Sequence, residues 1–134
     1  TDLLTEILSN RDNGLLNNKV AIRVKEGTLM LAPDSISCIE KNSKKTIIYT
    51  DQNRYETSYN LIELEALLPE QFARVHNSYI INLSRILMIK PTNNRSYQIT
   101  LENCPVTAYM TRNKYEEYKH LFEMKNGNTE GHRL

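Results

Sequence analysis

Between Lys19 and Tyr109 the apolar residues fall mostly at alternate positions in short runs, and each run stops at Gly, Pro, Asn or Asp; this punctuation restricts the fold more than any other feature. A spacing of two places successive side chains on opposite faces of an extended chain. Val20, Ile22 and Val24 alternate with Ala21, Arg23 and Lys25, and Glu26-Gly27 turns the chain into Thr28 to Leu31, which predicts a hairpin. Ser35 to Glu40 reads as a third strand, and Thr46 to Thr50 pairs with Arg54 to Ser58 across Asp51-Gln52-Asn53. Ile86 to Ile89 and Ser96 to Leu101 form a hairpin through Pro91 to Arg95, and Pro105 to Tyr109 is a last short strand. The eight to ten strands are not separated one by one by helices, so parallel βαβ architecture is excluded and antiparallel sheets are expected.

Helical spacing appears in three places. Leu61, Leu64, Leu67 and Leu68 define a helix over Tyr59 to Leu68 that Pro69 closes, its apolar stripe covering a sheet. Tyr115, Tyr118, Leu121 and Phe122 define a closing helix from about Arg112 to Met124, with Thr111 as N-cap. Leu3, Leu4, Ile7 and Leu8 suggest a short helix before the asparagine-rich stretch Asn10 to Asn18. Arg74 to Asn82 fits either a strand or a short helix capped by Asn77 or Ser78, and periodicity does not choose between them. The chain therefore divides into a linker with an N-terminal helix (1–18), one domain (19–124) and a flexible tail (125–134). The missing initial Met and the linker-like start point to a piece cut from a longer protein.

Its 134 residues suit a single core, and 40% apolar with 25% charged residues is a globular composition. No apolar run approaches the roughly 20 residues of a membrane span. Seventeen basic against 16 acidic residues give a net charge of +1, which taken alone argues against a nucleic-acid partner. The distribution argues otherwise. Tyr55 to Ala73 carries −4, Arg74 to Arg95 carries +4, and Lys41, Lys44, Lys45 and Arg54 surround a turn with only Asp51 opposing them. Arg112 and Lys114 open the last helix. Each basic cluster lies at a loop or helix start, where side chains and free N–H groups meet phosphates, although solvated loops carry such charges too.

The motifs of an enzyme are missing. There is no GxSxG, P-loop, GxGxxG or HExxH, and Glu63/Glu65 and Glu116/Glu117 read as solvated helix faces. Cys38 and Cys104 have neither CxxC nor Cys/His metal spacing and are expected as reduced thiols; no metal or other cofactor is implied. A Cys104 and His76 nucleophile pair would need the fold to bring them together, and no spacing does so. In His76-Asn77-Ser78 the histidine fits a partly buried structural role and Asn77 or Ser78 a cap. Read functionally, the Asn77 amide suits the adenine N6/N7 edge and Arg112 the guanine O6/N7 edge.

The run Leu64-Glu65-Ala66-Leu67-Leu68-Pro69, then Phe72-Ala73-Arg74-Val75-His76-Asn77-Ser78-Tyr79-Ile80-Ile81-Asn82, resembles the signature of the LytTR DNA-binding domain family, with Ile39-Glu40 before it and Arg112 after it in the family's order. The resemblance spans roughly residues 19–124. It implies a mainly β fold of elongated antiparallel sheets with two or three short helices, which binds duplex DNA by loops placed in successive major grooves. Carried over by motif, Lys44, Lys45, Asn77 and Arg112 read bases, while Arg74, His76, Ser78, Asn113 and Lys114 hold phosphates or the loop. It further implies a cytoplasmic transcription regulator of the response-regulator, quorum-sensing or virulence type. Such a protein has an upstream receiver domain and a sensor histidine kinase, binds direct-repeat promoter sites as a homodimer, and uses no membrane. The competing readings are a β-rich protein-interaction module presenting Tyr49, Tyr55, Tyr97 and Tyr109, and a tyrosine platform for single strands or RNA.

Overall fold

A computed structural model describes residues 19–131, with side chains described through residue 123; the helix suggested near Leu3 to Leu8 lies outside the described residues. Ten strands form two antiparallel sheets. In chain order they are β1 (Val20–Val24), β2 (Gly27–Leu31), β3 (Ile36–Asn42), β4 (Lys45–Thr50), β5 (Arg54–Thr57), β6 (Phe72–His76), β7 (Tyr79–Asn82), β8 (Ile86–Pro91), β9 (Tyr97–Leu101) and β10 (Ala108–Met110). Helix α1 (Leu61–Leu67) joins β5 to β6, and α2 (Arg112–Gly131) follows β10. The larger sheet has the order β2-β1-β5-β4-β3-β7-β6 and the smaller β10-β9-β8.

The β1–β2 turn is Lys25-Glu26, and Gly27 opens β2 at φ 147°, a backbone conformation that side chains strain. Asn60 caps α1 reciprocally: its side chain accepts from Glu63 N–H (2.8 Å) and the Glu63 carboxylate accepts from Asn60 N–H (2.9 Å). The expected strand over Pro105 to Tyr109 is shorter, since Pro105 has no N–H for a ladder and pairing with β9 begins only at Ala108. Helix α2 continues past Met124, the expected end, to Gly131: the apolar spacing stops at Phe122, but no proline interrupts the backbone ladder.

The central strands β3, β4 and β7 of the larger sheet are buried on both faces. Ile39, Ile48 and Ile80 point to one side, where they pack with Ile22, Leu61, Leu64 and Leu68 under α1. Their neighbours Cys38, Ile47, Tyr49 and Ile81 point to the other, against Ile99, Leu101, Ala108 and Met110 of the smaller sheet, with Tyr115, Tyr118 and Phe122 of α2 alongside. Three central strands therefore bury consecutive residues, which explains runs such as Ile36 to Ile39 and Thr46 to Thr50 that do not alternate.

Candidate nucleic-acid interface

The undecided stretch Arg74 to Asn82 is a hairpin. His76 pairs with Tyr79 across the two-residue turn Asn77-Ser78, and the register slips between Arg74 and His76, so Val75 is an extra residue on β6. A bulged residue leaves the ladder, and the Val75 carbonyl accepts instead from Thr111 N–H at 2.9 Å, which fixes the start of α2 beside this turn. Inside the turn, Ser78 N–H donates to His76 Nδ1 (3.0 Å) and the Arg74 guanidinium donates through Nη2 to the Asn77 carbonyl (3.0 Å). An accepting Nδ1 leaves Nε2 as the ring's donor. His76 thus shapes the loop, with its ring edge against Tyr79 at 5.6 Å, while Asn77 is exposed.

Tyr79 anchors the hairpin from behind. Its hydroxyl donates to Glu40 Oε2 (3.2 Å) and the Tyr49 hydroxyl to Glu40 Oε1 (3.0 Å), so one strand carboxylate holds two neighbours. Burial, and then the adjacent Glu40 charge, push the Tyr79 phenol up to about 12, which keeps it a donor at neutral pH.

Two further basic segments meet this turn. Lys41 N–H donates to the Ser78 carbonyl (2.8 Å), placing the β3–β4 turn at the same end of the sheet as Asn77-Ser78. Asn42 and Lys45 pair across Ser43-Lys44, with Ser43 at φ 64° as a two-residue hairpin tolerates, and Lys44 and Lys45 are exposed. On the other side Thr111 caps α2 by accepting from Lys114 N–H through its hydroxyl (3.2 Å), so Arg112, Asn113 and Lys114 form the first helical turn. Arg74, His76, Asn77, Thr111, Lys114 and Glu65 line an open groove of about 320 Å³. The Lys114 ammonium also reaches the Glu117 carboxylate at 3.2 Å.

A family model described as the LytTr DNA-binding domain matches residues 26–123. The chain belongs to the LytTr DNA-binding domain family. Similar curated relatives include the transcriptional regulatory protein YpdB of Escherichia coli K12, 28% identical over 116 residues (85% of this chain, 46% of the relative). The transcriptional regulatory protein LytR of Staphylococcus aureus N315 is 29% identical over 97 residues, covering 72% of this chain and 39% of the relative. This LytTr chain spans about half or less of the length of these relatives. A solved LytTr DNA-binding domain from Bacillus cereus shares the fold at a TM-score of 0.66 and 23% identity, covering 78% of this chain and 96% of that one.

In this LytTr domain the three segments singled out by sequence, Lys44-Lys45, Arg74 to Ser78 and Arg112 to Lys114, come to one end of the larger sheet. Sequence reasoning missed Glu65, whose position at the groove depends on how α1 packs, and Glu40, read only as a strand position. The tyrosines offered as an exposed face are not one. Tyr49 is buried, Tyr97 stacks on Tyr115 at 3.9 Å, and Tyr109 packs against Tyr79 at 6.1 Å between centroids. Cys104, weighed as a partner for His76, meets Cys38 instead. Among the described residues no cluster of His, Cys, Asp or Glu has the geometry to hold a metal, and no helix is long and apolar enough to cross a membrane.

Proposed function

We propose that this domain reads the sequence of double-stranded promoter DNA and is the output half of a cytoplasmic response regulator, served by an upstream receiver domain and a sensor histidine kinase. The observation that carries the reading is that two basic segments, Arg74 to Ser78 and the start of α2, share one groove, with the Lys44-Lys45 turn held beside it by the Lys41 to Ser78 bond. Asn77 and Arg112, with Lys44 and Lys45, reach base edges in successive major grooves; Arg74, Ser78, Asn113 and Lys114 neutralise phosphates, and His76 holds the turn that presents Asn77. Two copies occupy direct-repeat sites. The relatives' names, transcriptional regulatory for YpdB and LytR and sensory transduction for LytT of Enterococcus faecalis, support the signalling context. Quorum sensing or virulence is the setting we propose for it.

The test is binding to promoter fragments followed by fluorescence anisotropy. Asn77→Ala and Arg112→Ala should each lose about 1–3 kcal/mol and relax base preference at one position, as the loss of a bidentate base contact does. The log of affinity should fall against log salt by about 0.9 per phosphate neutralised. Absence of any complex at low salt would overturn the reading and leave a protein-interaction module.

A further inference from the structure

Away from the groove, the loop between β9 and β10 carries Cys104 onto the buried Cys38 of β3, with the two sulfurs 3.3 Å apart and both cysteines free. The approach is built rather than incidental. The fully buried Ser37 donates its hydroxyl to the Glu102 carbonyl (2.9 Å), Glu102 N–H donates to the Arg85 carbonyl (2.9 Å), and the Asn103 amide donates to Asp51 Oδ1 (3.1 Å). Asn103 takes φ 52° to make this bend. Three bonds thus hold the two residues before Cys104 against β3 and its neighbours. Across the pair the environments differ: Cys38 is fully buried and Cys104 half-buried, and Asn103 and Pro105 on either side of Cys104 line an open depression of about 270 Å³.

We propose that Cys104 and Cys38 form a peroxide-responsive dithiol site, with Cys104 as the attacking thiolate and Cys38 as the resolving thiol. The hydrogen bond from Cys38 holds the Cys104 thiol down to about 7, with Arg85 nearby adding to the effect and burial and Glu40 opposing it; the same bond and burial push Cys38 up. A thiolate near neutral pH beside a second thiol is the arrangement that a redox-sensing cysteine uses. The substrate class is a small hydroperoxide. The Cys104 thiolate attacks one peroxide oxygen; the S–O bond forms, the O–O bond breaks, and the second oxygen leaves as water or an alcohol after taking a proton. Cys38 then attacks the Cys104 sulfur, the S–S bond forms, and the sulfenic oxygen leaves as water with the Cys38 proton. Two thiols give up two electrons and the peroxide accepts them. A disulfide needs the sulfurs at about 2.05 Å, so closure draws the β9–β10 loop toward β3.

This site stands independently of the DNA reading, because its chemistry is read on the protein alone. The purified chain is treated with hydrogen peroxide and followed by intact mass, non-reducing peptide mapping and thiol counting. The expected result is a monomer lacking two hydrogens, a linked Cys38–Cys104 peptide, and full reversal by dithiothreitol. Cys38→Ser should stop at a sulfenic acid on Cys104 that dimedone traps, and Cys104→Ser should slow thiol loss at least tenfold. Disulfide-linked dimers as the main product, or thiol loss in Cys104→Ser at the wild-type rate, would overturn the proposal. Should Cys38→Ser fail to fold, the peptide map of the wild-type chain still decides it, since a map without the linked peptide rejects the site.

Discussion

Arg74 and Arg85 are both arginines on or beside β6 and β7, yet their surroundings differ completely. Arg85 is 8% exposed and committed: its guanidinium bonds Asp51, donates through Nη1 to the Asp34 carbonyl (2.9 Å) and lies 3.7 Å through Nε from Glu102. Those partners come from three separate connections, after β2, β4 and β9, so Arg85 ties the two sheets together. Arg74 bonds one carbonyl of its own turn and faces a groove shared with His76, Asn77 and Lys114. A guanidinium whose donors are taken up by the protein is structural. Arg74 spends Nη2 on bracing its loop and buries Nε, which leaves the outer edge of its guanidinium for a ligand, and such a planar donor suits phosphate.

The contrast breaks most visibly at Arg85. Its replacement by alanine is expected to cost about 2–3 kcal/mol, on the low side for a broken buried pair because the Asp51 side chain is 40% exposed and can rehydrate. The measurement is the urea unfolding midpoint, and DNA affinity of the folded fraction should stay at the wild-type value. A loss no larger than the roughly 1 kcal/mol of a surface pair would show that Arg85 does not join the sheets.

Arg74→Ala should do the reverse. Stability should change by less than about 1 kcal/mol, since one hydrogen bond at a surface turn is lost. Affinity should fall by a similar factor for cognate and random duplexes, with the salt slope shallower by about 0.9 if one phosphate contact goes. Selective weakening at one base pair would move Arg74 from a phosphate role to a base-reading one. A smaller effect of the base-reading kind is expected of Lys45→Ala, exposed beside the turn Ser43-Lys44: a modest loss of affinity together with relaxed preference at one base pair; unchanged affinity and preference there would remove the β3–β4 turn from the interface.

The turns and strands were legible in the sequence because each depends on a few neighbouring residues: the hairpin from Val20 to Leu31, the punctuation at Asp51 to Asn53 and the Thr111 cap are local. The segment Arg74 to Asn82 was ambiguous for a physical reason. Its apolar residues Val75, Ile80 and Ile81 serve both faces of a sheet buried on both sides, and a bulge at Val75 breaks the alternation. The candidate site was legible as three separate segments. Their meeting was not, since it depends on Lys41 N–H reaching Ser78 and Thr111 N–H reaching Val75, contacts between strands far apart in sequence. The 66-residue separation of Cys38 and Cys104 hid their approach in the same way, because only the docking of the Glu102-Asn103 bend closes it.

Glu65 gives the smallest effect and the finest test of the groove. Its carboxylate lies with Arg74 and Lys114 around one opening, on a helix exposed at that position. If phosphates enter there, Glu65 opposes them through a screened interaction worth roughly 0.5 kcal/mol at physiological salt, where the Debye length is about 8 Å. Glu65→Gln keeps the shape and removes the charge, so affinity should rise two- to threefold for every duplex, and the gain should shrink as salt is raised. The outcome that would reject a phosphate-facing groove is a loss confined to cognate DNA, because a carboxylate that strengthens binding at one site is accepting from a base such as the cytosine N4 amine. Arg85, remote from the groove, serves as the reference: the Glu65 gain should persist undiminished in a protein destabilised at Arg85, since sites that share no partner contribute additively.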